Sequence, residues 1–477
     1  MIIYYFIIAI ALIGSLFFTR SKILHHILLM LFNALQWGLT VYAYLHLNRE
    51  ELSYFIPDGA AMIMLLVLAV LSSASSYHSA GYLEYHHRHH TTPHRAKSIY
   101  YAAFCLLIVA QTGAFLSSHI GVTWVFVELT TFAATVLIYH ERTEYAIEAA
   151  WKYLFVCSVA LAFSFIGILL LSIAAQEAAT INLTYSSLIH NAVAFNPFWL
   201  KLAFLFVLIG YSAKMGLFPM HTVCVDAHTV APPPISAFIS TTLMNVGFMA
   251  IFRFYSVIAP TSIATWANYI LLVAGILSVF VAVVYLIRVR HFKRMFAYSS
   301  LENMGIVAIG LGTGGIGYYA AFLHLIFHSF TKAGMFYQIQ QVYRIFNNYL
   351  IRRTGGYFHY YNSGAIIMLL LFVCITAMPP SGLFVSEFMI LKAMAEKGYF
   401  MLLILLLVLL TFSVWALGKN FFRLIFSPPY GNVPEEKIKP AESLSQWALL
   451  GMVFYLGIYP PVELVNLIHA AIITLPH

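Results

Sequence analysis

The sequence predicts an all-α, polytopic membrane protein of about fourteen transmembrane helices, with two inverted repeats and two broken helices. Three observations carry that expectation. Of 477 residues, 62% are hydrophobic and 9% charged, a balance outside soluble globular usage that leaves too little polar surface to face water. Apolar runs of about 20 residues, long enough to cross a hydrocarbon core as a helix, have centres near residues 10, 35, 68, 108, 130, 163, 208, 244, 276, 302, 327, 378, 410 and 458. Alternate loops between them hold most of the 25 lysines and arginines.

The first run leads to Arg20 and Lys22 with no small-residue cleavage site, so it reads as a first transmembrane helix and not a removed signal. The basic loops follow around Arg88, Arg95 and Lys97; Arg142 and Lys152; Arg288, Arg290, Lys293 and Arg294; Arg344, Arg352 and Arg353; and Lys419, Arg423, Lys437 and Lys439. By the positive-inside rule both termini face outward, which an even number of spans permits. The longest connections are the histidine-rich loop near residue 90, Gln176 to Asn196, and Ser427 to Glu442. None is long or polar enough to delimit a soluble domain, so residues 1–477 form a single membrane domain: N-terminal helices over 1–98, a first repeat over 99–258, a second over 265–426 and a C-terminal helix over 440–477.

Two spans are interrupted by proline, in Leu-Phe-Pro-Met-His at Pro219 and in Met-Pro-Pro-Ser-Gly at Pro379 and Pro380. Paired interruptions at matching positions point to inverted repeats with ion sites at the breaks; ordinary proline kinks are the alternative. The net charge of +8 is dispersed over helix ends, which excludes a nucleic-acid partner and favours the bilayer. The four cysteines, Cys105, Cys157, Cys224 and Cys374, are scattered without a Cys-x-x-Cys pair, so neither a cluster nor zinc is expected and redox chemistry, if any, belongs to another subunit.

Charges inside the apolar runs are the candidate functional groups. A charge at the bilayer centre costs about 3 kcal/mol on insertion scales, so it is kept for a purpose and finds a partner. Lys214 stands just before the first break, and Glu128, in the run from Gly121 to Tyr139, is its candidate partner. Such a pair titrates as a coupled unit and can act as an ion-pair switch, or it is a static buried salt bridge. His324, His328 and Lys332 fall at i, i+4 and i+8 on one helix face, about 6 Å apart and within reach of a proton relay through water. Helix-to-helix hydrogen bonding is the second reading of the two histidines. A metal site is the third, although no carboxylate or cysteine completes it.

Beyond the first break come His221, Asp226 and His228, near the inward end, where water can deliver protons or where they simply cap and pack a loop. Glu302, in Tyr-Ser-Ser-Leu-Glu-Asn-Met-Gly, is the second-half counterpart of Glu128 by its offset, in an active or a structural role. Glu387 follows the second break, with Lys392 five residues on, and is the candidate exit-side group. The loop Tyr85 to Lys97, with His86, His87, His89, His90 and His94, reads as a solvated inward loop, with metal binding or pH sensing as the alternatives.

With these residues in place, the chain resembles the antiporter-like subunits shared by respiratory complex I, Mrp-type cation/proton antiporters and group 4 membrane-bound hydrogenases. The segment from Lys214 to Ser240 carries the resemblance, Lys-Met-Gly-Leu-Phe-Pro-Met-His followed by Asp-Ala-His and Ala-Pro. Within that family, the motifs around Glu302 and Glu387 look most like component F of hydrogenase-4. The resemblance implies that Glu128 and Lys214 are the pumping pair, that His324, His328 and Lys332 form the central relay and that Glu387 is the terminal group. It further implies a subunit of the prokaryotic inner membrane that moves protons, or sodium, when a partner redox module drives it. No cofactor is expected in this chain; the iron-sulfur and nickel-iron centres lie in partner subunits. One departure is Asn245, where many relatives have a lysine, which implies transfer through water or weaker coupling. The alternatives are a stand-alone or two-component secondary transporter, either a cation/proton antiporter or an inorganic-carbon uptake subunit, and a scaffold with a vestigial relay.

Overall fold

The chain is described here from a computed structural model covering residues 1–89, 95–178, 182–429, 436 and 438–475. Two helices, α1 (Ile2–Phe18) and α2 (Lys22–Leu45), lead to the long α3 (Gly59–His89). A first series follows: α4 (Ala96–Leu116), α5 (Ile120–Ile138), α6 (Glu144–Glu177), the short α7 (Tyr185–Asn191), the pair α8 (Pro197–Met215) and α9 (Thr222–Val230), then α10 (Pro233–Phe238) and α11 (Met244–Ile258). The second series is α12 (Ala264–Arg288), α13 (Phe292–Thr313), α14 (Ile316–Phe346), the single turn α15 (Tyr357–Tyr360), the pair α16 (Asn362–Ile375) and α17 (Gly382–Glu396), and α18 (Phe400–Phe426). The chain closes with α19 (Leu444–Ile458) and α20 (Val462–Ile472).

Among the described residues, nine helices are long and apolar enough to cross a membrane, or ten if α19 and α20, bent by 74°, make one span. Every run centre read from the sequence lies in a helix or at a break between two. The span Pro233–Ile258 is wholly buried, whereas Phe400–Phe426 and Lys22–Leu45 leave most of their surface outside. The bundle is thus built around α10, α11, α13 and α14, and its outer helices expose Phe412, Trp415, Trp151 and Phe155 as lipid-facing apolar surface.

The helix ends follow local chemistry. Thr143 caps α6 by accepting from Ala146 N–H, and Asn196 caps α8 with Pro197 in the first turn, both satisfying donors that the first turn leaves free. Gly216 stops α8 in the left-handed region at φ +79°, where a residue with a Cβ is strained. Both predicted breaks are present, and the Phe218-Pro219 and Pro379-Pro380 peptides are cis. Ser278 Oγ on α12 accepts from Phe218 N–H at 2.9 Å, while Ser381 caps the helix that restarts after the second break.

Three expectations need correction. A third bend, at Tyr459 to Pro461, divides the last run, because consecutive prolines cannot continue the helix. The histidine tract is not all loop: α3 runs on through His86, His87 and His89, which make up its last turn with Arg88, while His90 and His94 fall outside the described residues. Lys293, counted above with a basic loop, sits in the first turn of α13 and is 1% exposed.

Close approach at Gly247 positions the site. A Cβ there would collide with the backbone nitrogen of Met215 and lie 2.7 Å from the carbonyl carbon of Lys214. Backbone cannot yield as a side chain can. Gly247→Val is therefore expected to destabilise the bundle by about 1–3 kcal/mol, read as a lower thermal midpoint of the detergent-solubilised protein; an unchanged midpoint would mean that α8 and α11 are not held this closely.

Candidate functional site

Lys214 occupies the last turn of α8, where the partial negative charge of a helix C-terminus favours a cation. It is 1% exposed. Its ammonium donates to Tyr153 Oη at 3.2 Å and lies 5.0 Å from the centre of that ring. Glu128, half-buried on α5, accepts from Ser158 Oγ at 2.8 Å through one carboxylate oxygen, and its other oxygen is buried without a hydrogen-bond partner. Glu128 and Lys214 form no ion pair. The carboxylate charge still reaches both Lys214 and Tyr153, so the two groups interact at a distance, with the phenol against the lysine.

Past the break, His221 packs against the Phe218 ring at 6.0 Å with Nδ1 unpartnered. Asp226 makes a partly exposed ion pair with Arg294 at 2.9 Å, which is a solvated helix-to-helix link. His228 is different: it is completely buried, stacks on Phe336 at 6.0 Å, and neither ring nitrogen has a hydrogen-bond partner among the described residues.

The second set gathers around α14. Lys332, fully buried, donates to Phe296 O at 2.9 Å and to Ser299 Oγ at 2.8 Å, both on α13. Glu302, two turns along α13, accepts from Ser413 Oγ of α18 at 2.7 Å and lies within electrostatic reach of Lys332. Glu387 on α17 is half-buried and lies within reach of Glu302. Lys392, its sequence neighbour, turns instead to Glu396 at 3.7 Å on the exposed side. The carboxylates thus extend outward from the lysine, Glu302 first and Glu387 beyond it.

His324 is held at both nitrogens, Nε2 3.0 Å from Asn303 Oδ1 and Nδ1 3.0 Å from Ser386 Oγ. Asn303 commits its amide N–H to Ser299 O at 2.7 Å, so its oxygen faces the imidazole and the Nε2 proton is assigned from that network. The Ser386 hydroxyl also reaches Leu383 O at 3.1 Å; it can donate to a neutral ring or turn away and accept from a charged one. His328, next on the same face, has both ring nitrogens unpartnered and lies within reach of Lys332, His324 and His228.

The two sets face each other across α11. Asn245 donates to Ser329 Oγ of α14 at 3.0 Å, and its Oδ1, like Thr331 Oγ1, is buried without a partner. Beyond Lys293 lies a cavity of about 480 Å³ whose lining includes Tyr82, His86, His140, Glu141 and Tyr349. Tyr82 Oη donates to Glu141 at 2.9 Å. Lys293 separates this cavity from the relay: its ammonium bonds Ala231 O, lies 5.2 Å from the Tyr349 ring centre, and is within reach of Glu141 and His228. Of the residues read from the sequence, the fold brings together His228, His324, His328, Lys332, Glu302 and Glu387, and sets Glu128 near Lys214. His221 touches neither set.

Tyr153, Lys293, Asn303, Ser386 and Ser413 were not singled out from the sequence. Lys293 stands among Arg288, Arg290 and Arg294, which mask it as part of a basic loop. The others are ordinary polar residues of transmembrane helices that only packing singles out.

Residues 117–413 match the family described as "NADH:quinone oxidoreductase/Mrp antiporter, TM". The hydrogenase-4 component F homolog of Methylacidiphilum infernorum (isolate V4) is 29% identical over 421 residues, 87% of each chain. A chain of the membrane-bound sulfane sulfur reductase, an archaeal respiratory membrane complex, superposes with a TM-score of 0.83 at 22% identity, over 99% of this chain and 96% of that one. A chain of respiratory complex I from Thermus thermophilus does so with a TM-score of 0.78 at 19% identity, over 97% and 99% respectively.

Proposed function

Since the chain belongs to the NADH:quinone oxidoreductase/Mrp antiporter family of transmembrane proteins, we propose that it is the proton-translocating membrane subunit of a redox-driven, multi-subunit complex of the membrane-bound hydrogenase or complex I kind. One observation supports this most: ionisable groups, each costly to bury alone, gather inside the bundle in two sets, Lys214 with Glu128 within reach, and His228, His328 and Lys332 with Glu302 and Glu387 beyond them. A static structural role would favour closed, fully hydrogen-bonded pairs. Here His228, His328 and Asn245 keep open valences, which suits water-mediated transfer in both directions.

In this reading a charge change at Glu128 alters the field at Lys214. Lys214 loses or gains its proton against Tyr153, and the change passes to His328 and Lys332 through water near Asn245. Lys332, held by a carbonyl and a hydroxyl, hands its proton to Glu302 and thence to Glu387. Protons reach the relay from the Glu141 cavity past Lys293 and His228. We place the cavity end inside and both termini outside, in a prokaryotic inner membrane, and take the two helix series as inverted repeats over 99–258 and 265–426.

Driving energy comes from partners: other membrane subunits and a peripheral redox module. The four cysteines are buried and scattered, and no group of three histidines, cysteines or carboxylates among the described residues could hold a metal. We assign the iron-sulfur and nickel-iron centres to those partner subunits. The test is purification of the tagged subunit with its natural neighbours. An iron-sulfur or nickel-iron module is expected to come down with it; a lone or non-redox partnership, with proton uptake driven by a sodium gradient alone, would replace this reading with a secondary transporter.

A further inference from the structure

A second feature lies on the lipid-facing flank, away from the relay. The end of α12, the turn at Ile351–Arg353 and the last turns of α18 enclose a hollow of about 610 Å³. Arg288, Arg290, Arg352, Lys419 and Arg423 line it, with no acidic residue among the described lining. Among the described residues, none of the five has an ion-pair partner. Lys419 is placed by its own Trp415, 5.4 Å from the ring centre. The turn that carries Arg352 is fixed by Ile351 N–H donating to Arg290 O at 3.0 Å and Phe292 N–H to Tyr349 O at 3.0 Å, so the cations are presented by paired backbone.

Directly adjoining is an apolar groove of about 580 Å³ between α16 and α18, and the two share Trp415, Lys419 and Phe422. Gly418 forms part of its wall: a Cβ there would stand 3.3 Å from the Phe372 ring. Trp415 and Phe422 are about half exposed, at 53% and 49%, the placing of aromatic side chains at a membrane interface.

We propose that this composite site binds an anionic phospholipid, its phosphodiester headgroup in the basic hollow and an acyl chain along the groove. Five clustered cations without an acidic partner among the described residues, next to an apolar channel, match the order of charge and hydrocarbon in such a lipid. An acidic protein segment would match the charge and leave the groove unused. Five cations suit two phosphates better than one, so diphosphatidylglycerol is the preferred occupant.

The test uses the full-length protein in detergent, stripped of lipid, then titrated separately with diphosphatidylglycerol, phosphatidylcholine and inorganic phosphate while bound lipid is counted by native mass spectrometry. Diphosphatidylglycerol is expected to be retained and phosphatidylcholine not. The double variant Arg290→Gln/Arg423→Gln should weaken retention about tenfold or more. Gly418→Leu should weaken it while leaving any effect of inorganic phosphate untouched, which separates a lipid site from a free-phosphate site. Equal retention by wild type and both variants, equal binding of phosphatidylcholine, or competition by inorganic phosphate alone overturns the proposal. So does a double variant that keeps the lipid but no longer assembles with partner subunits, which assigns the patch to a protein. A normal thermal midpoint in each variant shows that the fold survives.

Discussion

Replacing Lys332 with methionine is expected to lower proton translocation by about 100-fold, the scale of losing a positioned proton-transfer group. The complex should still assemble. Methionine keeps the apolar stem, and the exposed cost is the two acceptors it abandons, Phe296 O and Ser299 Oγ, about 1–3 kcal/mol each when left dry. Lys332→Arg separates two explanations. Arginine keeps a positive charge beside Glu302 but does not deprotonate at any physiological pH. If the lysine works by giving up its proton, arginine fails as badly as methionine; if it serves only to hold the field, arginine restores most of the activity. Proteoliposome pumping, measured against partner-driven redox turnover, reads the difference. Wild-type pumping by Lys332→Met would remove the relay.

The second large effect is expected at Lys214. Lys214→Met should reduce pumping by about 100-fold, and Glu128→Gln by less, because the carboxylate acts on the lysine from a distance. Tyr153→Phe removes the hydroxyl that the ammonium uses and should cost several-fold, a loss of about 1 kcal/mol in transfer free energy. The informative comparison is the double variant Glu128→Gln/Lys214→Met. If the glutamate works through the lysine, the double variant is no worse than Lys214→Met alone, a non-additivity that coupled sites show. Additive losses would mean that Glu128 serves another partner, and the proposed coupling would be withdrawn.

Both predictions start from residues visible in the chain, and the contrast with what stayed hidden is physical. An unpaired charge in an apolar run is conspicuous in one dimension because the bilayer penalises it wherever the helix turns. Lys214, Glu302, Lys332 and Glu387 were therefore readable, as were the two proline breaks. Lys293 was misread because three arginines around it, Arg288, Arg290 and Arg294, make that stretch look like a solvated loop. One turn of helix, begun at Phe292, carries its side chain inward to Ala231 O. Tyr153 had no signal among 31 tyrosines. The histidine tract looked like a loop because of its polarity, yet stacking of His86 on Tyr82 at 5.5 Å belongs to a helix that continues past its apolar core.

Composition and order of residues alone determined that this chain lives in a bilayer, that two of its spans are broken at Pro219 and at Pro379 and Pro380, and which side chains bear charge where charge is expensive, since each is a property of a segment and its solvent. Which of those charges meet was left to the tertiary structure. The crossing of α13 and α14 puts Lys332 against Phe296 and Ser299, and close packing of α8 on α11 at Gly247 sets Lys214 beside Asn245's helix. Hydropathy along a sequence says how deep a residue lies, whereas the direction it faces around its helix and the neighbour it finds depend on how helices pack.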